Sequence, residues 1–140
     1  MGGYRHPLAL VVEDDDNQRA LLSILLEESD MEVLECASAE AAVSILDRIG
    51  ESVCFLFTDE NLGGTMSGAA LAAMAKGRFP QMDVVVTSSS LPPELRGDAK
   101  FLPKPWRPLD VLREVQRDTP LSYRLIGAHP GTSPLSSAKS

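Results

Sequence analysis

The chain has 140 residues, 44% of them apolar, and its formal net charge is −7. These values predict one globular domain with a single core. The acidic balance argues against direct binding of nucleic acid, which normally needs a basic surface. Because no apolar run approaches the ~20 residues that span a bilayer, we predict no membrane segment and a cytoplasmic location.

Short apolar runs alternate with helical patterns, as expected for parallel strands joined by crossover helices. Five strands are predicted, at residues 8–12, 31–36, 53–57, 84–87 and 101–102. Helices are expected after four of these strands, beginning at Asp16 or Asn17, Ser38, Ser67 or Gly68, and Pro108. The pattern indicates a strand and a helix in repeated alternation.

Two helices are expected to bury wide apolar faces against the sheet. In the first helix this face comprises Leu21, Leu22, Ile24, Leu25 and Leu26. In the last helix it comprises Leu109, Leu112 and Val115. The fourth crossover is different, because residues 88–100 include two prolines and a glycine in only thirteen residues. We expect a single turn or an irregular loop there.

Polar residues follow four of the predicted strands. Glu13 and Asp14 follow the first, Asp59 the third, Thr87 and Ser88 the fourth, and Lys104 comes soon after the fifth. Ligands of parallel sheets bind beyond the carboxyl ends of the strands, so these side chains should converge. Converging carboxylates repel one another, and their oxygens are ligands that Mg²⁺ prefers. A Mg²⁺ site beside a lysine is therefore predicted.

A carboxylate placed between a metal and a lysine, with a hydroxyl nearby, is suited to phosphoryl transfer. The carboxylate acts as nucleophile, while the cations neutralise the phosphoryl oxygens and the hydroxyl donates to one of them. By this chemistry Asp59 is predicted to accept a phosphoryl group.

Four segments in this order, VVEDD, TDENL, VVVTSS and FLPKP, resemble the receiver domain of two-component response regulators. The resemblance extends over residues 7–118. It implies a flavodoxin-like, doubly wound, five-stranded parallel sheet with strand order 2-1-3-4-5. Here the fourth crossover helix would be shortened. We expect the receiver domain at residues 1–118 and a disordered tail at residues 119–140.

The resemblance also implies a role for each matching residue. Asp59 would accept a phosphoryl group from a histidine kinase or a phosphotransfer protein. Asp14 would bind Mg²⁺ directly, Glu13 would bind it through water, and Asn61 would offer its backbone carbonyl. Ser88 is the expected switch hydroxyl, with Thr87 as its rival. Such a protein is a signalling switch, not an enzyme, although it assists its own phosphorylation and dephosphorylation.

Phe101 would complete the switch by turning inward when Ser88 moves towards the phosphoryl group. The Lys104–Pro105 bond is expected to be cis by the same resemblance. The loop from Asp59 to Gly68 is one residue longer than is usual in the family and contains Gly63 and Gly64, so it should be looser.

The unusual fourth crossover predicts a different mode of partner binding. Arg107, Arg113 and Arg117 are candidate contacts for an unidentified output protein, and a homodimer is left open. Normal partner binding or dimerisation after replacement of all three arginines would refute this prediction.

Two other functions remain open. One is a Mg²⁺-dependent phosphohydrolase, disfavoured because Asn61 replaces the expected general acid. The other is a scaffold that needs no phosphorylation.

Overall fold

A single five-stranded parallel sheet organises the chain, whose computed structural model describes residues 6–90 and 92–118. The strands are β1 (Leu8–Val12), β2 (Glu32–Cys36), β3 (Val53–Asp59), β4 (Asp83–Ser88) and β5 (Lys100–Pro103). Their spatial order is β2-β1-β3-β4-β5, and every neighbouring pair is parallel. The predicted strand order is therefore confirmed. Residues 119–140, predicted to be a disordered tail, lie outside the described residues.

Four helices flank the sheet: α1 (Asp16–Glu28), α2 (Ala39–Ile49), α3 (Gly68–Arg78) and α4 (Pro108–Asp118). A short 3₁₀ turn, Gly50–Ser52, leads into β3. Ser38 and Ser67 cap α2 and α3 through their side chains, as predicted. Asp15 caps α1, one residue before the expected Asp16 or Asn17, because its carboxylate accepts the Gln18 N–H. Across the described ranges, none of these helices has the length and apolarity to cross a membrane.

The three central strands, β1, β3 and β4, are buried on both faces, which explains why they are almost continuously apolar. Alternate residues of one strand face opposite sides of a sheet, so each strand contributes to two layers of the core. Val84 and Val86 of β4 pack with α2 and α3, whereas Val85 packs with α1 and α4. The sheet edge that carries the strand carboxyl ends is thereby held between two helical layers.

Three of the leucines and isoleucines expected in the core are exposed instead. Leu21 is 43% exposed, Ile24 is 52% exposed and Leu109 is 61% exposed. A helix against a sheet buries only the side chains nearest the strands, and Leu22, Leu25 and Leu26 fill that side of α1. In α4, Val111 and Val115 lie one turn apart on the inner side, so Leu109 points outwards.

The connection from β4 to β5 contains no helix among its described residues. A strap of residues 92–99 replaces the helix, and Leu95 and Ala99 of this strap pack against the core. The Lys76 ammonium holds the strap through Asp98 Oδ1 at 2.7 Å. It also donates to the Pro80 and Met82 carbonyls at 3.0 and 2.7 Å. The expected irregular loop is confirmed, and the described part of this crossover contains no helical turn where a shortened helix was predicted.

Candidate functional site

The turn from β1 to α1 fixes Glu13 on several sides. Its side chain is buried, its backbone N–H donates to the Cys36 carbonyl at 3.1 Å, and its carboxylate accepts the Asp15 N–H at 3.1 Å. The Arg19 guanidinium donates to the Glu13 carbonyl at 2.8 Å. Asp14, the next residue, is exposed. The turn thus presents one buried and one exposed carboxylate.

Asp59 ends β3 and is only 5% exposed. The Glu60 N–H donates to the Thr87 carbonyl at 2.8 Å, and the Glu60 carboxylate accepts the Ala69 N–H of α3 at 2.7 Å. The N-terminus of α3 therefore lies directly against the backbone of the acidic residue. At the point of contact, a Cβ placed on Gly68 would lie 2.2 Å from the Asp59 carbonyl oxygen.

Gly68→Ala is expected to destabilise the fold by about 2 kcal/mol or more, because backbone atoms must shift to accept the methyl group. Gly77→Ala is the matched control in the same helix, since a Cβ at Gly77 would meet nothing within 4 Å. The control should gain up to about 1 kcal/mol from helix propensity. Chemical denaturation measures both changes, and equal effects of the two substitutions would contradict the close approach.

Lys104 supplies the cation that these carboxylates require. Its Nζ lies 3.3 Å from Asp59 Oδ1 and 3.4 Å from Glu13 Oε1. Its backbone N–H donates to the Ser88 carbonyl at 2.9 Å, and the Lys104–Pro105 bond is cis, as predicted. The lysine side chain is 16% exposed, so its charge acts from a largely desolvated position.

Glu13, Asp14 and Asp59 form a cluster in which one carboxylate oxygen from each residue lies within 4.8 Å of the others. Burial raises the pKa of Glu13, and repulsion from Asp59 adds to that shift, although Lys104 opposes it. Three hard oxygen ligands that gather despite repulsion fit a divalent cation such as Mg²⁺. The predicted convergence of these acids and Lys104 is therefore seen in the structure.

Glu13→Gln is expected to raise the melting temperature of the metal-free protein at neutral pH. The raised pKa of Glu13 means that folding disfavours its ionised form, so a neutral isostere removes that cost. Because Gln retains a carbonyl oxygen, it can still accept the Asp15 N–H. Differential scanning calorimetry in a chelator tests this expectation, and a lower melting temperature would contradict it.

The two candidate switch hydroxyls have different surroundings. Ser88 Oγ accepts the Ser90 N–H at 3.0 Å and the Asn61 side-chain amide at 3.5 Å. Thr87, which pairs with Asp59 in the sheet register, has a fully buried hydroxyl without a hydrogen-bond partner in the described structure. Ser88 is thus linked to the loop that follows Asp59. Phe101 lies half-buried on β5, opposite Val86.

Two of the three candidate output arginines have described side chains. Arg107, directly before α4, pairs with Asp110 of that helix at 3.2 Å, and Arg113 is exposed on α4. The side chain of Arg117 lies outside the described residues. Their proposed role in partner binding therefore remains a prediction.

The sequence did not indicate that Arg19 and Glu40 shape the site, or that Glu60, which flanks Asp59, contacts α3. Arg19 holds the backbone of the β1–α1 turn, and Glu60 caps α3. Glu40 contacts Thr65, which is 25 residues away. Glu40 lies in the first turn of α2, where an acidic residue is already explained by its favourable interaction with the helix dipole. Its sequence position therefore gave no indication of the contact with Thr65.

Comparisons with known proteins agree with this geometry. The family model described as the response regulator receiver domain matches residues 9–116. Among solved structures, the receiver domain of the hybrid histidine kinase CckA is 27% identical, with a TM-score of 0.71. This match covers 81% of this chain and 99% of the other. No curated protein sequence matches the chain.

Two further structures show the same fold at lower identity. A receiver domain protein from Clostridium thermocellum is 21% identical, with a TM-score of 0.70 over 86% of this chain and 98% of that one. The chemotaxis response regulator CheY4 of Vibrio cholerae is 20% identical, with a TM-score of 0.70 over 81% and 98%. The sheet order, the acidic cluster with its lysine and the family match together establish that this chain belongs to the receiver domain family of two-component response regulators.

Proposed function

We propose that the chain is a phosphoacceptor switch in which Asp59 receives a phosphoryl group from a histidine kinase or a phosphotransfer protein. The observation that carries the proposal is the contact of one ammonium group, that of Lys104, with both Asp59 and Glu13. A buried carboxylate that is flanked by a cation and a second acid can serve as a nucleophile towards a charged phosphoryl group.

Glu13, Asp14 and Asp59 are the side chains that would hold Mg²⁺, and Asn61 would add its backbone carbonyl. When bound, the ion would neutralise charge on the phosphoryl oxygens. Glu13 is proposed to act through a water molecule, because it is the more buried of the two acids after β1. The raised pKa of Glu13 supports a site that favours an additional positive charge.

In the proposed transfer, a carboxylate oxygen of Asp59 forms a bond to phosphorus while the bond from phosphorus to the donor nitrogen breaks. The nitrogen keeps the electron pair of that bond, and the donor imidazole is restored. Lys104 would attract one phosphoryl oxygen, and the Ser88 hydroxyl would donate a hydrogen bond to another. Hydrolysis by water later returns Asp59 to a carboxylate and releases inorganic phosphate.

Ser88 and Phe101 are proposed as the coupled switch. Ser88 Oγ already contacts the loop after Asp59 through Asn61, which favours it over Thr87. Movement of Ser88 would disturb its hydrogen bond with Ser90 and leave space for the Phe101 ring. Ser88→Ala should impair this response more than Thr87→Val, because the Thr87 hydroxyl makes no hydrogen bond within the described structure.

The proposal includes a cytoplasmic location, a receiver domain bounded at residues 1–118, and an output protein that recognises the altered surface. The strap that replaces the fourth crossover helix gives this surface an unusual shape. Arg107, Arg113 and Arg117 remain the proposed contacts for the output protein, and loss of all three should weaken its binding.

Incubation with acetyl phosphate and Mg²⁺, followed by intact mass measurement, tests the proposed function. The proposal predicts lasting addition of one phosphoryl group in the presence of Mg²⁺ and none in a chelator. Rapid consumption of acetyl phosphate without a lasting adduct would indicate a phosphohydrolase instead. Neither adduct nor turnover would indicate a scaffold, and either of these two results would overturn the proposal.

A further inference from the structure

Glu40, in the first turn of α2, binds a segment that is distant in the sequence. One of its oxygens, Oε2, accepts hydrogen bonds from the Thr65 hydroxyl at 2.8 Å and from the Thr65 N–H at 3.2 Å. The same oxygen accepts the Met66 N–H at 3.2 Å. Hydrogen bonding with Thr65 lowers the pKa of Glu40, so its carboxylate stays ionised at neutral pH. One exposed side chain thus holds two consecutive residues.

These residues belong to the acceptor loop, residues 60–67, which connects β3 with α3. The first part of this loop has its own attachments, because the Glu60 carboxylate accepts the Ala69 N–H of α3 and Leu62 is buried in the core. Its middle portion, Gly63 and Gly64, passes beside the acidic cluster. A Cβ built on Gly63 would lie 3.8 Å from Asp14 Oδ2, so the loop backbone lies next to that carboxylate.

The two glycines fit this arrangement for separate physical reasons. Gly63 has a φ of +74°, a left-handed conformation that glycine adopts without steric cost. At Gly64, a Cβ would lie 2.8 Å from Glu40 Oε1, so a side chain there would displace the carboxylate. The glycine pair that distinguishes this loop therefore permits the Glu40 contact. The loop, expected to be loose, is held directly after its glycine pair by the Glu40 contacts with Thr65 and Met66.

We infer that Glu40 is a positioning residue for the phosphoacceptor site, holding the acceptor loop against Asp14. The held loop pre-organises the acidic cluster for Mg²⁺ and shields the phosphoryl group on Asp59 from water. Pre-organisation matters because a free loop must lose conformational entropy when the ion binds. The part of this inference that concerns the phosphoryl group rests on the proposed function, whereas the part that concerns Mg²⁺ does not.

The test compares Glu40→Ala with Glu40→Gln, which removes the charge but keeps an acceptor oxygen. Glu51→Ala is the matched control, because it removes the charge of an exposed glutamate in the 3₁₀ turn before β3. Hydrogen exchange of the Thr65 and Met66 amides reports on the loop, and calorimetric titration with Mg²⁺ alone reports on the site. Acetyl phosphate at saturating Mg²⁺ gives the rate of phosphorylation, and mass spectrometry after donor removal gives the decay of the adduct.

Glu40→Ala should remove the exchange protection of both amides and raise the Kd for Mg²⁺ by about tenfold, the lower end of the effect of losing groups that orient metal ligands. The adduct should decay faster, while the phosphorylation rate at saturating Mg²⁺ stays near that of the wild type. Glu40→Gln should restore most of the Mg²⁺ affinity. Glu51→Ala should change neither the amide protection nor the Kd for Mg²⁺. Thr65→Val, which removes only the hydroxyl contact, should give a smaller change in the same direction.

A Kd for Mg²⁺ within about twofold of wild type in Glu40→Ala, despite lost amide protection, would overturn the inference. An equal loss of affinity in Glu40→Gln and Glu40→Ala would also overturn it, because charge alone would then explain the effect. If Glu40→Ala does not fold, the Mg²⁺ titration of Thr65→Val decides. A raised Kd for Mg²⁺ supports the inference, and an unchanged Kd overturns it. Failure of the wild type to take up a phosphoryl group would refute the proposed function, while the Mg²⁺ result would still decide the role of Glu40.

Discussion

Asp59→Asn is expected to abolish the addition of a phosphoryl group from acetyl phosphate, with a loss of at least about 10³-fold in rate. An amide is far less nucleophilic than a carboxylate, and the substitution keeps the shape of the side chain. Asp59 is 5% exposed and contacts Lys104, so the substitution removes the buried carboxylate that the lysine holds. Intact mass measured at several times after donor addition gives the rate.

Asp47→Asn is a suitable control for Asp59→Asn, since Asp47 is exposed on α2 and pairs with Arg78 away from the site. The control should be phosphorylated like the wild type. Removing the Asp59 charge also relieves repulsion with Glu13, so the variant should stay folded. Labelling of Asp59→Asn at the wild-type rate would place the acceptor on another residue, and the account of the site would be wrong.

Lys104→Met is expected to slow phosphorylation by about 10²- to 10³-fold, the usual effect of removing one group that stabilises a developing oxyanion. Methionine retains much of the apolar side chain but cannot approach Asp59 Oδ1 with a charge. Affinity for Mg²⁺ should be unchanged or higher, because an ammonium group that competes for the same carboxylates is lost. Rate at saturating Mg²⁺ and calorimetric titration separate the two effects.

Lys104→Arg distinguishes charge from geometry at this position. Arginine keeps the positive charge, but its planar guanidinium cannot occupy the place of a compact ammonium between two carboxylates. We expect only partial recovery of the phosphorylation rate. A rate for Lys104→Met within about threefold of the wild type would contradict the role assigned to this lysine.

The strands could be predicted because parallel strands that are buried on both faces must be apolar along their length. The runs at residues 8–12 and 53–57 met that condition, and each strand was found there. Helix faces were harder to predict. Leu21, Ile24 and Leu109 have suitable periodicity, yet the sheet covers only a narrow side of each helix. Periodicity shows that an apolar face exists but does not show how much of it is covered.

The central residues of the site could be predicted for a topological reason. Glu13, Asp59 and Lys104 follow strands that end at the same edge of a parallel sheet, so their sequence positions imply their proximity. The contact of Glu40 with the acceptor loop could not be predicted in this way. It depends on the conformations of Gly63 and Gly64 and on the approach of two loops.

The strap between β4 and β5 is an intermediate case. Two prolines and a short length excluded a full helix, but they did not indicate how the connection would be held. Lys76 supplies that attachment through Asp98 and two backbone carbonyls, and Leu95 packs against the core. Such contacts join residues far apart in the sequence, and no local pattern predicts them.

Identification of the phosphorylated residue tests the central claim most directly. Wild-type protein is treated with acetyl phosphate and Mg²⁺, the aspartyl phosphate is reduced with borohydride to homoserine, and the peptides are mapped by mass spectrometry. The account predicts homoserine at residue 59 alone, formed with Mg²⁺ and absent when a chelator is present. Homoserine at residue 14, or an equal yield at residue 59 without Mg²⁺, would contradict it.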